Sequence, residues 1–311
     1  MIKRVLLAVV LLVVAAVVIV NDTVARLPST PPAGGKFLAV DGRTIHYIEQ
    51  PGVGIPVVML HGLPGTLHDF DHVVAKLPSA HVFSLDRPGF GWSTGGWASF
   101  QQQIDIVHKF LTQLRIGPAI IVGHSFGGSL ALGLTRRYPQ DVAHLVLIAP
   151  GAGGMRSHTM DSMQARYILF SQLPVIDQII KWTFGNIALR LSAYFGSRNA
   201  FAPQPVPAEY SDRLVAVTLK PGNTEAFARD QLAFDTTAQW LDDNVAQIHT
   251  PTVEIAARDD RLVPYEHARR LAETLPGLRL VTVDGNHMIP YTHPDVVAAE
   301  ITTAMQRPAA A

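Results

Sequence analysis

The amino-acid sequence predicts an α/β fold: a mostly parallel sheet with helices on both faces. Three observations point to it. Short runs rich in β-branched residues alternate with amphipathic helical stretches from Pro56 to Ile148, and again from Thr252 to the C-terminal helix. One run, Ala119-Ile120-Ile121-Val122, breaks at Gly123-His124-Ser125-Phe126-Gly127 into a helix that halts at Pro139, so that a strand turns sharply on one serine. The alternation then lapses from Pro150 to about Asp235, where helical segments are punctuated by glycine and proline. A structureless loop of that length is implausible inside a compact domain, so residues 150–235 are expected to form a helical cap on a core made of 37–149 and 236–308.

In chain order, Met1-Ile2-Lys3-Arg4 precedes an unbroken apolar run from Val5 to Val20. As a helix this run reaches ~24 Å, a little short of a ~30 Å hydrocarbon core, and Lys3 and Arg4 can snorkel to make up the difference. Residues 1–22 are therefore expected to be an uncleaved membrane anchor, with a cleaved signal peptide and a secreted protein as the alternative. Either way the basic residues stay on the cytoplasmic side, which places the remainder outside the cytoplasm. Residues 23–36, rich in proline and glycine, read as a linker. Lys36 to Val40 and Arg43 to Gln50 alternate across Asp41-Gly42 and predict a β-hairpin. Pro56 to Leu60 predicts a buried strand, Leu67 to Leu77 a helix and His81 to Leu85 a strand; Ser99 to Leu114 predicts an amphipathic helix and Val142 to Ile148 a strand. Thr252 to Ala257 and Leu278 to Val283 are strands flanking a helix from Tyr265 to Leu275, and Asp295 to Gln306 closes the chain as a helix.

Composition limits the chemistry. Apolar residues make up 48% and charged residues 16% of 311, far from a disordered chain. The formal net charge is zero with no long basic run, so nucleic acid is not expected as a partner. There is no cysteine, which excludes a thiol nucleophile, disulfides and thiolate metal sites. His68 and His72 stand four apart but lack the glutamate of the hydrolytic zinc motif, and Gly151 to Gly154 lacks the lysine and spacing of a phosphate loop. No cofactor and no metal are expected.

Gly123-His124-Ser125-Phe126-Gly127 has the form of a nucleophile elbow, in which the serine Oγ stands above the sheet. A serine hydroxyl needs an adjacent base that an acid orients. The sequence offers both past strand ends: Asp260, with Asp259 as second choice, after Thr252 to Ala257, and His287 after Leu278 to Val283. His124 is expected to pack beside the site rather than act as the base. Backbone N–H groups of Phe126 and Leu63 are the candidate oxyanion hole, since Pro64 has no N–H to offer.

His61-Gly62-Leu63-Pro64-Gly65, Asp86-Arg87-Pro88-Gly89-Phe90-Gly91, the elbow, Asp260 and Gly285-Asn286-His287 together resemble the motif set of the α/β-hydrolase superfamily. The resemblance runs from about Phe37 to the last helix, the cap excepted. It implies an eight-stranded, mostly parallel sheet with the cap inserted after the sixth strand, and a largely structural role for Asp86 to Gly91. The capped branch includes epoxide hydrolases and haloalkane dehalogenases, whose elbow carries aspartate; serine at this elbow implies acyl-enzyme rather than alkyl-enzyme chemistry.

The cap sequence is apolar, as in Leu173-Pro174-Val175-Ile176, Ile179-Ile180 and Trp182. A small lipophilic carboxylic ester is therefore the expected substrate. A carbon–carbon bond hydrolase, a perhydrolase or a proline aminopeptidase would use the same triad; the first would need a basic pocket residue, for which Arg156, Arg166 and Arg190 are candidates. A non-catalytic binding protein would ordinarily have lost a triad member, and the oligomeric state carries no sequence signal.

Overall fold

The computed structural model describes residues 2–25, 31–154, 194–218, 220 and 222–307. Its strands are β1 (Gly35–Val40), β2 (Arg43–Gln50), β3 (Val53–Leu60), β4 (Ala80–Leu85), β5 (Ala119–His124), β6 (Val142–Ile148), β7 (Thr252–Ala257) and β8 (Arg279–Val283). They form one eight-stranded sheet in the order β1-β2-β4-β3-β5-β6-β7-β8. β1 and β2 form an antiparallel hairpin, and β2 pairs antiparallel with β4. The five pairings that continue through β8 are parallel. In the hairpin turn Asp41 and Gly42 both take positive φ, 50° and 72°, the twist that joins antiparallel strands in two residues. Every residue of β5, β6 and β7 is buried, as a strand covered on both faces requires.

β4 and β5 flank β3 on opposite sides, so the winding of the chain reverses at β3. The loops that leave the C-terminal ends of β3 and β5 therefore diverge and open a crevice between them. The serine elbow and the loop that carries Leu63 are those two loops.

The helices are α1 (Ile2–Ala25), α2 (Asp71–Val74), α3 (Phe100–Leu114), α4 (Phe126–Arg137), α5 (Ala208–Thr218), α6 (Asn223–Leu232), α7 (Phe234–Asn244), α8 (Tyr265–Thr274), α9 (Ile289–Thr292) and α10 (Pro294–Met305). Ser99 starts α3 with a reciprocal capping box: its Oγ accepts from Gln102 N–H while the Gln102 side chain accepts from Ser99 N–H. One expectation is corrected. The stretch from Leu67 to Leu77 is not a single helix but a 3-10 turn, Leu67–Phe70, capped by Thr66, followed by the one-turn α2. Lys76 and Leu77 bond to Val73 and Val74, three residues back, so the segment tightens and stops before Pro78.

Between β6 and β7 the described residues contain no strand; 194–201 are helical and α5, α6 and α7 follow. α7 lays Phe234, Ala238 and Leu241 into the main core, so it opens two residues before the expected core boundary at 236. A second, smaller cluster joins Ala200, Phe201, Tyr210 and Leu214 of this insertion to Met288. The apolar stretch 173–191 and Arg156, Arg166 and Arg190 lie outside the described residues.

α1 runs for 24 residues, ~36 Å at the α-helical rise, longer than the apolar run alone suggested. Its segment from Ile2 to Ile19 is long and apolar enough to cross a membrane, and none of it is buried against the rest of the chain.

Candidate active site

The elbow is built by close approach. Ser125 takes φ 53° and ψ −120°, a left-handed conformation that costs a non-glycine residue about 1–3 kcal/mol. Its surroundings fix it there: the Ser125 N–H donates to Ile148 O at 2.9 Å, and its carbonyl accepts from Gly128 N at 2.9 Å and Ser129 N at 3.2 Å. A Cβ on Gly127 would overlap the Leu60 carbonyl, and one on Gly123 would overlap the Gly127 carbonyl. Only glycine lets β3, β5 and α4 meet so closely. From Ala119 to Thr135, Ser125 is the one residue that is not buried.

Asp260 and His287 meet across the loops after β7 and β8. Asp260 Oδ2 accepts from His287 Nδ1 at 2.7 Å, and Asp260 Oδ1 accepts from Leu262 N and Val263 N, each at 2.8 Å. Burial pushes the Asp260 carboxyl up, but the facing imidazole, its hydrogen bond and the two loop N–H groups outweigh burial and hold the carboxyl below its ordinary 3.8. Asp259, the second choice, is exposed, and its N–H is spent on Gly285 O. With Nδ1–H committed to Asp260, Nε2 is the basic end of the His287 ring.

His124 lies beside the site, as expected, with a defined contact: its Nε2 donates to His287 O at 3.0 Å, and the two rings are 4.8 Å apart. Burial, reinforced by the neighbouring His287, pushes His124 down to about 3, so it stays neutral and tethers the loop that carries His287 to the strand that carries Ser125. His287 N–H donates to Ala200 O at 3.1 Å, and Asn286 Nδ2 donates to Phe201 O at 2.8 Å, so the insertion also grips this loop. Among the described residues no hydrogen bond joins the Ser125 hydroxyl to His287 Nε2. Catalytic hydrogen bonds are often open without substrate and tighten when it arrives.

Phe126 is the first residue of α4, so its N–H has no partner within the helix. The Leu63 N–H likewise meets no acceptor among the described residues. Gly62 holds the two loops together, since a Cβ there would come 3.0 Å from Ser125 Cβ. Asp69 packs against the same loop at Gly65, and burial pushes its carboxyl up to about 8.

Sequence reasoning missed one centre beneath this loop. Arg87, read only as part of a structural turn, is 2% exposed and bonds to His61 O, Gly62 O, Gln103 and Asp230. Asp230 lies 143 positions further along the chain in a helix without a motif, and no sequence signal links the two.

Residues 55–294 match the family described as the alpha/beta hydrolase fold. The 2-hydroxy-6-oxononadienedioate/2-hydroxy-6-oxononatrienedioate hydrolase of Klebsiella pneumoniae subsp. pneumoniae is 28% identical over 285 residues, covering 86% of this chain and 94% of that protein. An esterase from Exiguobacterium antarcticum superposes with a TM-score of 0.72 at 19% identity, over 88% of this chain and 100% of its own. The meta-cleavage product hydrolase (CumD) from Pseudomonas fluorescens IP01 superposes with a TM-score of 0.68 at 22% identity, over 87% and 97%. At these identities the two structures speak for the fold.

Proposed function

Because the chain belongs to the alpha/beta hydrolase fold family, we propose that it is a serine hydrolase acting on a lipophilic carboxylic ester. In this reading Ser125 Oγ attacks the ester carbonyl while His287 Nε2 takes its proton. Asp260 holds the imidazole in the tautomer that leaves Nε2 free and stabilises the imidazolium that forms. The N–H groups of Leu63 and Phe126 receive the charge that develops on the carbonyl oxygen. The imidazolium then protonates the leaving alcohol, and water, activated by the same base, releases the acid from Ser125. The observation that carries this reading is the 2.7 Å bond between Asp260 and His287, on a loop that His124, the residue before the strained Ser125, ties to the elbow strand.

The apolar and aromatic cluster of Phe201, Tyr210, Leu214 and Met288 beside the His287 loop favours an apolar acyl or aryl group, with residues 150–235 as a helical cap over the crevice. The α1 helix supports an uncleaved anchor that keeps the catalytic domain at a bilayer, outside the cytoplasm, with a cleaved signal as the other outcome. Turnover of short- and medium-chain esters by the parent, and its loss in Ser125→Ala, tests the assignment; an alanine variant that turns over as fast as the parent refutes it.

A second reading has its own support. The Klebsiella relative is named for hydrolysis of a 2-hydroxy-6-oxononadienedioate, and in this reading Ser125, His287 and Asp260 cleave a carbon–carbon bond of such a substrate. Such a dianion needs cationic partners. Of the described cations on the insertion, Arg213 is paired with Asp71, Arg229 with Glu225, and the Arg198 guanidinium lies 5.8 Å from the ring centroid of Tyr194. Lys220 Nζ lies over the Trp92 ring with no hydrogen-bond partner and is the residue to substitute under this reading.

A further inference from the structure

Arg87 touches both halves of the proposed oxyanion hole and the helical insertion at once. Its Nε donates to His61 O at 3.1 Å and its Nη2 to Gly62 O at 3.1 Å, the two carbonyls directly before Leu63. The backbone N–H of Arg87 also donates to His61 Nε2 at 2.9 Å, which fixes the same loop from the other side. Its guanidinium lies 4.7 Å from the ring centroid of Phe126, whose N–H is the second donor, and 4.4 Å from that of Phe90. Nη1 reaches α6, where it pairs with Asp230 Oδ2 at 2.8 Å, and it donates to Gln103 Oε1 at 2.8 Å. Asp230 is in turn completed by Trp97 Nε1 at 2.8 Å and Gln103 Nε2 at 3.1 Å on Oδ1.

A planar guanidinium presents five donors in fixed directions, so movement of one partner shifts the others. The Arg87–Asp230 pair is fully enclosed, Asp230 being 1% exposed, and it cannot relax by exchanging partners with water. The sheet domain alone does not complete the coordination of Arg87; a carboxylate from the insertion does. We propose that Arg87 is a positioning residue that couples the seating of α6 to the geometry of the oxyanion hole, so that the Leu63 and Phe126 donors are aligned only when Asp230 is docked. This rests on the serine-hydrolase reading above and adds to it a route by which the insertion governs the chemical step rather than only substrate entry.

The coupling predicts a loss in the transition state rather than in ground-state binding. Asp230→Asn should lower kcat roughly tenfold or more while KM changes less than about twofold, because a small displacement of oxyanion donors is expressed in the transition state. Affinity for an alkyl trifluoromethyl ketone, whose adduct occupies the hole, should fall by about the same factor. Trp97→Phe removes a single bond to Asp230 and should give the same pattern in smaller measure, which keeps the test decisive if Asp230→Asn does not fold. Asn223→Ala removes another tie between α6 and the Asp86 to Gly91 loop, the bond from Gly91 N, and should lower kcat in the same direction but less than Asp230→Asn. All are measured on the full chain, together with the rate at which a fluorophosphonate labels Ser125. Folded variants of Asp230 and Trp97 that keep the parental kcat, ketone affinity and labelling rate overturn the coupling and make Arg87 a stability device only. A parent that neither turns over esters nor labels at Ser125 instead removes the serine-hydrolase reading on which the coupling depends.

Discussion

Asp260 and His287, 27 positions apart on two separate loops, are joined by a 2.7 Å hydrogen bond between carboxylate and imidazole Nδ1, and both are almost fully buried. The loop N–H groups of Leu262 and Val263 saturate the other carboxylate oxygen, so Asp260 is held ionised and fixed in direction. The histidine is thereby oriented before any substrate arrives, and the cost of orienting it is met in folding.

Asp260→Asn should retain the fold and lose roughly 10³–10⁴-fold in kcat, because an amide favours the wrong imidazole tautomer. The same variant should change the acid limb of stability. The folded carboxyl lies below its ordinary 3.8, so it contributes stability above that value that is lost as pH falls through the lower folded value. Denaturant titrations of parent and variant at pH 7 and pH 3 check both parts: the variant should lose less stability over that interval than the parent.

Glu254 gives the opposite sign. It is 1% exposed in the middle of β7, its Oε2 has no partner, and burial pushes its carboxyl up to about 8. The folded protein keeps this proton from pH 4.5 to about 8 while the unfolded chain releases it, so stability falls as pH rises through that window. Glu254→Gln should remove a penalty of about 4 kcal/mol at pH 8 and almost none at pH 4.5. Thermal unfolding of parent and variant across that range measures the difference.

Ser125, Asp260 and His287 stand out in the sequence because each lies just past a strand whose apolar run ends abruptly: Ser125 directly after β5, Asp260 three residues past β7 and His287 four past β8. A parallel sheet brings such loop positions to one edge without any long-range information being needed. The hairpin, β6 and β7 were equally legible, since their boundaries coincide with turn residues. Leu67 to Leu77 was misread because apolar periodicity does not register that the chain bonds three residues back there rather than four. Arg87 and Asp230 were illegible for a different reason. Their pairing depends on how an insertion folds back, and neither residue carries a local pattern that names the other.

Gly127→Ala should abolish folding rather than activity alone. The new methyl would overlap the Leu60 carbonyl where β3, β5 and α4 converge, and backbone cannot swing aside as a side chain does. The expected loss is about 3 kcal/mol or more, visible as insoluble expression or a large fall in the unfolding midpoint.

Removal of residues 1–30 should move the protein from the detergent to the aqueous phase in a phase-separation assay and leave kcat on a soluble ester within about twofold, because α1 is not buried against the catalytic core. Retention in the detergent phase would show that another surface holds the membrane.

The most direct measurement of the central claim is identification of the residue labelled by a fluorophosphonate in the full-length protein. With Ser125 as the nucleophile, a single phosphonylated peptide carries the label on Ser125, Ser125→Ala takes none, and a folded His287→Ala labels roughly 10²-fold or more slowly. A label on any other residue, or equal labelling rates in the parent and the His287 variant, would contradict that assignment.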